Sequence, residues 1–251
     1  MKAVIMAGGL GKRLRPVTQI IPKPLLPVGD RSVLEIQIHN LKEHGVDTIF
    51  LALGYRHELF QAYFGDGSNW GVRIYYSIES KPLGTAGPLS LLRDVLDEPF
   101  LVMNGDILTN LDCSLLAENH LETGAYITVV TKIVTFPLRY GVIDHKDNRV
   151  FDIREKPSIS AEINAGIYFM NPEVIDAMPS NTAVSMDDLL RNKISENYQV
   201  SRFLLTDYWL DIGQEDDYQM ANDIVSQNSS QKNGSPWQST LQKLTLSSGT
   251  S

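Results

Sequence analysis

The chain of 251 residues has a single cysteine, Cys113, and no apolar run long enough to cross a bilayer. One cysteine excludes an internal disulfide framework and suits a reducing compartment. The N-terminus also lacks a basic and apolar leader with a small-residue cleavage site. We therefore expect a cytoplasmic protein with no membrane partner.

Basic residues are also scarce, because 22 Lys and Arg stand against 30 Asp and Glu, giving a formal net charge of −8. A nucleic-acid-binding protein needs a basic face to neutralise phosphates, so nucleic acid is not an expected partner. An acidic protein that binds a small anion must instead concentrate its positive charge locally. The hydrophobic fraction of 43% and charged fraction of 21% are ordinary for a globular chain of this length.

Positive charge is concentrated near the N-terminus, directly after a short apolar run, Ala3 to Ala7, that predicts a buried strand. The residues that follow are three glycines and four cations: Gly8, Gly9, Gly11, Lys12, Arg13, Arg15 and Lys23. Glycines let backbone N–H groups approach phosphate oxygens, and cations neutralise phosphate charge. The pattern therefore predicts a polyphosphate-binding loop, and the alternative is a glycine-rich turn with surface cations.

Two common phosphate-binding motifs do not fit this loop. No Gly-Lys-Ser/Thr ends it, which excludes a P-loop. Leu14 stands where a dinucleotide-binding G-x-G-x-x-G sequence requires its third glycine.

Apolar strands alternate with helical patterns over the first 106 residues, which predicts a doubly wound, mainly parallel α/β sheet. The predicted strands are Ala3 to Ala7, Thr48 to Leu53, Val72 to Ser77 and Phe100 to Met103, and the predicted helices begin near Val33, His57 and Thr85. Further strands are predicted at 125–132, 141–144, 150–155, 165–170, 200–205 and 208–211, with helices at 114–120, 187–196 and 215–225. Ligands of such sheets bind beyond the C-terminal ends of the strands.

Two aspartates follow predicted strands and are candidate ligands of a hard divalent metal. Asp106 ends the sequence Val-Met-Asn-Gly-Asp, and Asp211 lies in Trp-Leu-Asp-Ile-Gly. Mg²⁺ prefers one or two carboxylates, with phosphate oxygens and water completing its shell. The alternative for each residue is a helix or turn cap, which is weaker for Asp211 because the next helix begins near Glu215.

The segment Gly8 to Thr18 followed by Pro22-Lys23-Pro24 resembles the signature of the sugar-1-phosphate nucleotidyltransferases, which are also called nucleotide-sugar pyrophosphorylases. That signature is G-G-x-G-x-R-L-x-P-x-T followed by P-K-P. The resemblance covers residues 1 to about 225, with its motifs in the expected order. It implies a Rossmann-like mixed, mainly parallel sheet, Mg²⁺ as cofactor, and an NTP and a sugar 1-phosphate as substrates.

The resemblance also implies roles for individual residues. Arg13 and Lys23 would be catalytic, and Asp106 and Asp211 would bind the metal. The nucleotide would be bound by Gly8, Gly9, Gly11, Arg13, Gly84, Thr85 and Gly105. The sugar phosphate would be bound by Gly141 and Asn164 together with Glu155 and Lys156 of a Glu-Lys-Pro motif.

The loop Lys81 to Pro88 is similar to that of mannose- and heptose-1-phosphate guanylyltransferases, which favours GTP. Cytidylyl, uridylyl or thymidylyl transfer to another sugar 1-phosphate stays open, as does a non-catalytic regulatory subunit that binds nucleotide sugar. We expect one domain over residues 1–225, with a nucleotide part to about residue 110 and a sugar-phosphate part to residue 225. The polar segment 226–251 is expected to be a mobile tail, and a homo-oligomer is left open.

Overall fold

A computed structural model describes residues 1–176 and 178–229. Its strands are β1 (Lys2–Met6), β2 (Pro27–Val28), β3 (Arg31–Ser32), β4 (Thr48–Leu53), β5 (Arg73–Ile78), β6 (Phe100–Asn104), β7 (Ile107–Thr109), β8 (Ile127–Pro137), β9 (Val142–Lys146), β10 (Arg149–Arg154), β11 (Ser158–Met170), β12 (Val200–Leu204) and β13 (Trp209–Asp211). Its α-helices are α1 (Val33–Glu43), α2 (His57–Phe64), α3 (Cys113–Thr123), α4 (Glu173–Asp176), α5 (Met186–Ser195) and α6 (Glu215–Ser229).

Seven strands form one sheet in the order β12-β8-β11-β6-β1-β4-β5. Its pairs are parallel except those of β11, which runs antiparallel to both β6 and β8. The fold is therefore the mixed, mainly parallel α/β sheet that the alternating pattern predicts, and that prediction is confirmed.

The sheet is buried on both faces because successive side chains of β1 enter different cores. Ile5 packs with residues of α1 and α2 on one face, whereas Val4 packs on the other face with Leu89 and Leu189. Three neighbouring residues of β1, Ala3 to Ile5, are fully buried. This explains why the central strand is a continuous apolar run rather than an alternating one.

Helix α1 is fixed at its N-terminus by a capping box. The Glu35 backbone N–H donates to Ser32 Oγ, and the Ser32 N–H donates to the Glu35 carboxylate at 2.6 Å. The Tyr63 hydroxyl of α2 donates to the same carboxylate at 2.9 Å. These bonds fix where α1 begins relative to its neighbours.

Two-stranded ladders accompany the sheet in the described part of the chain: β2–β3, β7–β13 and β9–β10. The β7–β13 ladder is antiparallel and places Asp211 opposite Ile107. The ladder therefore packs residues near position 210 against the segment that directly follows β6. The strand β7 and the β2–β3 ladder were not predicted from the sequence.

Several element bounds differ from those predicted. The predicted helix at 85–96 is a 3-10 helix at Gly87–Leu92, which begins with Gly-Pro. Strands β8 and β11 are longer than predicted. Their ladder pairs Ser158–Asn164 with Thr131–Pro137, so β11 begins before the predicted residue 165 and β8 continues past the predicted residue 132. Helix α6 continues to Ser229 rather than ending near Val225. The rest of the predicted tail, 230–251, lies outside the described residues.

None of the helices in the described ranges has the length and apolar character needed to cross a membrane.

Candidate functional site

The C-terminal ends of three adjacent parallel strands meet at one edge of the sheet. Met6 of β1 lies beside Ala52 of β4 and Asn104 of β6. The Gly105 N–H donates to the Met6 carbonyl at 2.9 Å, which places the loop after β6 against the loop after β1. The predicted phosphate loop and Asp106 therefore lie side by side.

A cavity of about 230 Å³ opens at this edge. Its lining combines glycine backbone with three cations and one carboxylate: Met6, Ala7, Gly9, Gly11, Lys12, Arg13, Lys23, Pro24, Gly105, Asp106 and Gly213. Five residues with predicted nucleotide or catalytic roles, namely Gly9, Gly11, Arg13, Lys23 and Gly105, are among them. The cavity has the size and charge to hold phosphate groups.

The loop after β1 is shaped by Gly11, whose φ of 55° lies in the left-handed region. A Cβ on Gly11 would lie 3.0 Å from Thr18 Cγ2, and the Thr18 hydroxyl donates to the Gly11 carbonyl at 2.8 Å. Glycine suits position 11 because its φ is left-handed and a Cβ would crowd Thr18, and the Thr18 hydroxyl holds the Gly11 carbonyl in place.

Lys23 and Asp106 both line this cavity, and Asp211, the second predicted metal aspartate, lies beside them. The Lys23 Nζ lies 2.5 Å from Asp106 Oδ2 and 3.7 Å from Asp211 Oδ1. The Ile212 N–H donates to the Asp106 carbonyl at 2.9 Å, extending the β7–β13 ladder and holding the two aspartates adjacent. Neither aspartate caps a helix, because Asp106 lies between β6 and β7 and Asp211 ends β13.

The electrostatics of Asp211 favour a bound cation. Burial raises the pKa of its carboxyl, and the charge of Asp106 raises it further, against the lowering effects of Lys23 and Arg13. The side chain as a whole is partly exposed, yet its Oδ1 atom is buried and has no hydrogen-bond partner. An unsatisfied buried carboxylate oxygen beside a second carboxylate fits a divalent cation.

A second, larger cavity of about 610 Å³ adjoins the first and shares Met6, Gly9 and Asp106 with it. Its lining includes Gly8, Gly84 and Thr85, which have predicted nucleotide-binding roles. Gly84 has a φ of 79°, and a Cβ there would lie 2.6 Å from the Val184 carbonyl oxygen, so only glycine fits. The Thr85 hydroxyl accepts from the Met186 N–H at 2.8 Å and anchors this loop to α5.

Glu79 lines the larger cavity and was not predicted from the sequence. It follows β5 directly, and its Oε2 accepts from the Leu83 N–H at 2.9 Å. Its Oε1 lies over the backbone of Gly8 and Gly54, where added Cβ atoms would approach it to 2.9 and 2.8 Å. Its position at a strand end, like that of Asp106, was the signal that could have identified it.

The predicted sugar-phosphate residues line neither cavity. Glu155 and Lys156 follow the exposed strand β10, and their side chains are 77% and 66% exposed. A Cβ on Gly141 would lie 3.4 Å from Glu155 Oε2, so these residues form a group of their own. Lys156 has a φ of 42°, an uncommon conformation for a residue other than glycine.

Asn164 is bound within β11 rather than to this group. Its Nδ2 donates to the Tyr168 hydroxyl at 2.8 Å, and its Oδ1 accepts from the Gly166 N–H at 3.0 Å. Gly166 packs against Asn104, where a Cβ would lie 2.6 Å from the Asn104 Nδ2. Asn164 is thus linked through Gly166 to the end of β6.

Comparison with known proteins decides the family. A sequence model described as Nucleotidyl transferase matches residues 2–228. The chain belongs to the nucleotidyl transferase family. The family resemblance seen in the sequence is therefore confirmed.

Curated relatives in this family differ in base and sugar. A mannose-1-phosphate guanyltransferase of Neurospora crassa is 40% identical over 227 residues, which covers 87% of this chain. A UTP–glucose-1-phosphate uridylyltransferase of Synechocystis is 37% identical over 241 residues, covering 88% of this chain. In each case the chain spans 62% of the relative's length.

Solved structures share the fold. A putative glucose-1-phosphate thymidylyltransferase from Bacillus anthracis has a TM-score of 0.74 at 26% identity, covering 95% of this chain and 99% of that one. HddC from Yersinia pseudotuberculosis, complexed with GMP-PN, has a TM-score of 0.71 at 27% identity, covering 88% of this chain and 98% of that one.

Proposed function

We propose that this protein transfers a nucleotidyl group from an NTP to a sugar 1-phosphate, releasing pyrophosphate and an NDP-sugar. The observation that carries the proposal is the convergence of Lys23, Asp106 and Asp211 at a glycine-lined cavity whose wall includes Lys23 and Asp106. In this reaction a sugar phosphate oxygen attacks the α-phosphorus in line. The protein's task is to align two anions and offset their charge.

The loops around the smaller cavity carry the groups that this chemistry requires. The Gly9 and Gly11 backbone would bind the triphosphate, and Arg13 would stabilise the departing pyrophosphate. Lys23 would bridge the two reacting phosphate groups from its nearly buried position. The two carboxylates would hold Mg²⁺, which when bound withdraws charge from the α-phosphate.

The donor set is compatible with Mg²⁺ but not with a closed metal site. No group of three or more His, Cys, Asp or Glu suited to a metal occurs in the described part of the chain. Two carboxylates leave the remaining coordination positions to phosphate oxygens and water, as Mg²⁺ prefers. This supports a metal bound together with the nucleotide.

The larger cavity favours GTP because of Glu79. A carboxylate is an acceptor only, and the guanine edge offers two adjacent donors, the N1–H and the N2 amino group. Uracil and thymine present a single N–H between two carbonyl oxygens, which a carboxylate would repel. Glu79 and the Gly8 backbone beside it therefore suit guanine, in line with the guanyltransferase among the relatives.

Two other functions are open to test. Transfer of a uridylyl, cytidylyl or thymidylyl group is an alternative, since the Synechocystis relative carries the uridylyltransferase name. A regulatory subunit without turnover is the second, but such proteins lose a catalytic cation or a metal aspartate, and Arg13, Lys23, Asp106 and Asp211 are all present here.

For the other substrate, we propose that Gly141, Glu155, Lys156 and Asn164 bind the sugar phosphate. Residues to about 110 would then form the nucleotide part and residues 111–225 the sugar-phosphate part. These four residues line neither cavity, and substitution of Lys156 tests their role.

The test is a pyrophosphate-release assay with each of GTP, UTP, CTP, ATP and dTTP, against a panel of sugar 1-phosphates, with Mg²⁺ present. We expect release with GTP to exceed that with the other nucleotides. Release with UTP or dTTP but not with GTP would overturn the assignment of guanine as the base, while the proposed nucleotidyl transfer to a sugar 1-phosphate would stand. Absence of release with every pair, together with retained NDP-sugar binding, would favour the regulatory subunit.

A further inference from the structure

Helix α1 carries a buried side-chain amide whose contacts surround Asp106. The Gln37 Nε2 donates to the Asn104 carbonyl at 2.9 Å and to the Ile107 carbonyl at 2.7 Å. These two carbonyls belong to the residues on either side of the Gly105-Asp106 pair. The Gln37 residue is only 3% exposed, so water does not compete for these bonds.

The amide's orientation follows from its partners. Two carbonyl oxygens can be satisfied only by donors, so the NH₂ group must face them. As a consequence Gln37 Oε1 is buried without a hydrogen-bond partner. A buried polar atom without a partner is uncommon in a folded protein and needs an explanation. Here the NH₂ group of the same amide donates to two backbone carbonyls, which indicates that the side chain serves to hold that backbone.

The Asn104–Ile107 segment is held on its remaining sides as well. The Gly105 N–H donates to the Met6 carbonyl, and the Asp106 carbonyl accepts from the Ile212 N–H. Of these bonds, those of Gln37 alone come from a side chain, and they connect the segment to α1. Helix α1 is itself fixed by its capping box, so it offers a rigid support.

We propose that Gln37 is a positioning residue that holds the Asp106 carboxylate in place for the metal and for Lys23. The inference rests on the proposed function, because it concerns the aspartate assigned there to Mg²⁺. Partners that orient metal ligands are commonly worth 10- to 100-fold in metal affinity. Gln37 acts on the backbone of the ligand rather than on its carboxylate, so the lower end of that range is expected.

The chain offers a matched control on the same helix face. Asn40, one turn along α1, is also buried, and its Nδ2 donates to the Leu111 carbonyl at 3.1 Å. Its target lies beyond β7, away from Asp106. Removing either amide deletes a buried side-chain donor from α1 to backbone carbonyls, but only the carbonyls bound by Gln37 flank the aspartate.

The test compares Gln37→Met with Asn40→Leu in the full chain. Mn²⁺ affinity is measured with the NTP preferred in the release assay present, from the electron paramagnetic resonance signal of the free ion, and the NTP without protein is the reference. Hydrogen exchange is measured for the amides of residues 105–108. We expect Gln37→Met to weaken Mn²⁺ binding about 10-fold and to speed exchange in this segment. Asn40→Leu should change Mn²⁺ affinity less than about 2-fold. Raising Mg²⁺ should restore part of the turnover of Gln37→Met.

Equal effects of the two variants on Mn²⁺ affinity would overturn the inference. A wild-type protein that adds nothing to the Mn²⁺ affinity of the NTP alone would overturn the metal assignment instead, and the exchange comparison would then decide the role of Gln37 alone. If Gln37→Met does not fold, Gln37→Asn gives the same comparison, because it keeps an amide too short to reach both carbonyls.

Discussion

The Lys23 ammonium lies 2.5 Å from the Asp106 carboxylate, and only 8% of the Lys23 residue is exposed. We expect Lys23→Met to lower the free energy of unfolding by about 1–3 kcal/mol, because it leaves two neighbouring carboxylates without their shared cation. Turnover should fall by about 10²-fold or more. A double-mutant cycle with Asp106→Asn should give a coupling energy of about 1–3 kcal/mol by denaturant unfolding.

The control for that cycle is the exposed pair Arg202 and Glu162, whose Nη1 and Oε1 atoms lie 3.2 Å apart. Solvent screening should hold its coupling to about 1 kcal/mol or less. A Lys23–Asp106 coupling energy no larger than this control value would show that the nearly buried ion pair is worth no more than an exposed one. That result would contradict the prediction.

Substitution of Asp211 by Asn should stabilise the metal-free protein near neutral pH while strongly reducing turnover. Because the folded state raises the pKa of Asp211 above its ordinary value of 3.8, the ionised carboxylate is penalised at higher pH. The stability difference should shrink as the pH falls below the raised pKa, and it should vanish below about 3.8, where the wild-type carboxyl is neutral in both states. Urea unfolding of both proteins at pH 7 and at pH 3.5, with chelator present, measures this. An Asp211→Asn protein that is less stable at pH 7 would refute it.

Exchange of Glu79 for Gln should change the base preference. The amide side chain of Glu79→Gln keeps an acceptor for the Leu83 N–H but places an NH₂ group where the second carboxylate oxygen was. This NH₂ group would face the N–H donors of guanine, which is unfavourable because both groups are donors. It would instead donate to a carbonyl oxygen of uracil or thymine. We expect kcat/KM for GTP to fall by about 10- to 100-fold while that for UTP or dTTP rises. Parallel loss for all nucleotides would show that Glu79 supports the loop without reading the base.

Replacement of Lys156 by Met tests the sugar-phosphate assignment. The side chain is 66% exposed and its contact with Glu155 is long, at 3.8 Å, so the free energy of unfolding should barely change. The KM for the sugar 1-phosphate should rise about 10-fold or more, with a smaller change in the KM for the NTP. Lys146→Met, on the neighbouring strand β9, serves as the control and should leave both constants near wild type. Equal effects from the two lysines would remove Lys156 from the site.

How much the sequence could predict depended on whether each signal was local. The glycines and cations after β1 lie within a few residues of one another, so their chemistry can be read directly. The parallel character of the sheet followed from the alternation of strands and helices. The 3-10 conformation at Gly87–Leu92 did not follow from the sequence, and its first residue, Gly87, lies against the Thr182 carbonyl, which is distant in sequence.

The amino-acid sequence by itself determined the glycine- and cation-rich loop after β1, the strand-end positions of Asp106 and Asp211, and the alternation of strands and helices before β6, since each depends on neighbouring residues. Only the tertiary structure decided that Asp211 meets Asp106 through the β7–β13 ladder, that Glu79 lies over Gly8 and Gly54, and that Gln37 holds the carbonyls around Asp106. The physical reason is packing: how whole strands and helices pair and pack sets which distant residues become neighbours, whereas the patterns that predict an element span only residues close in sequence.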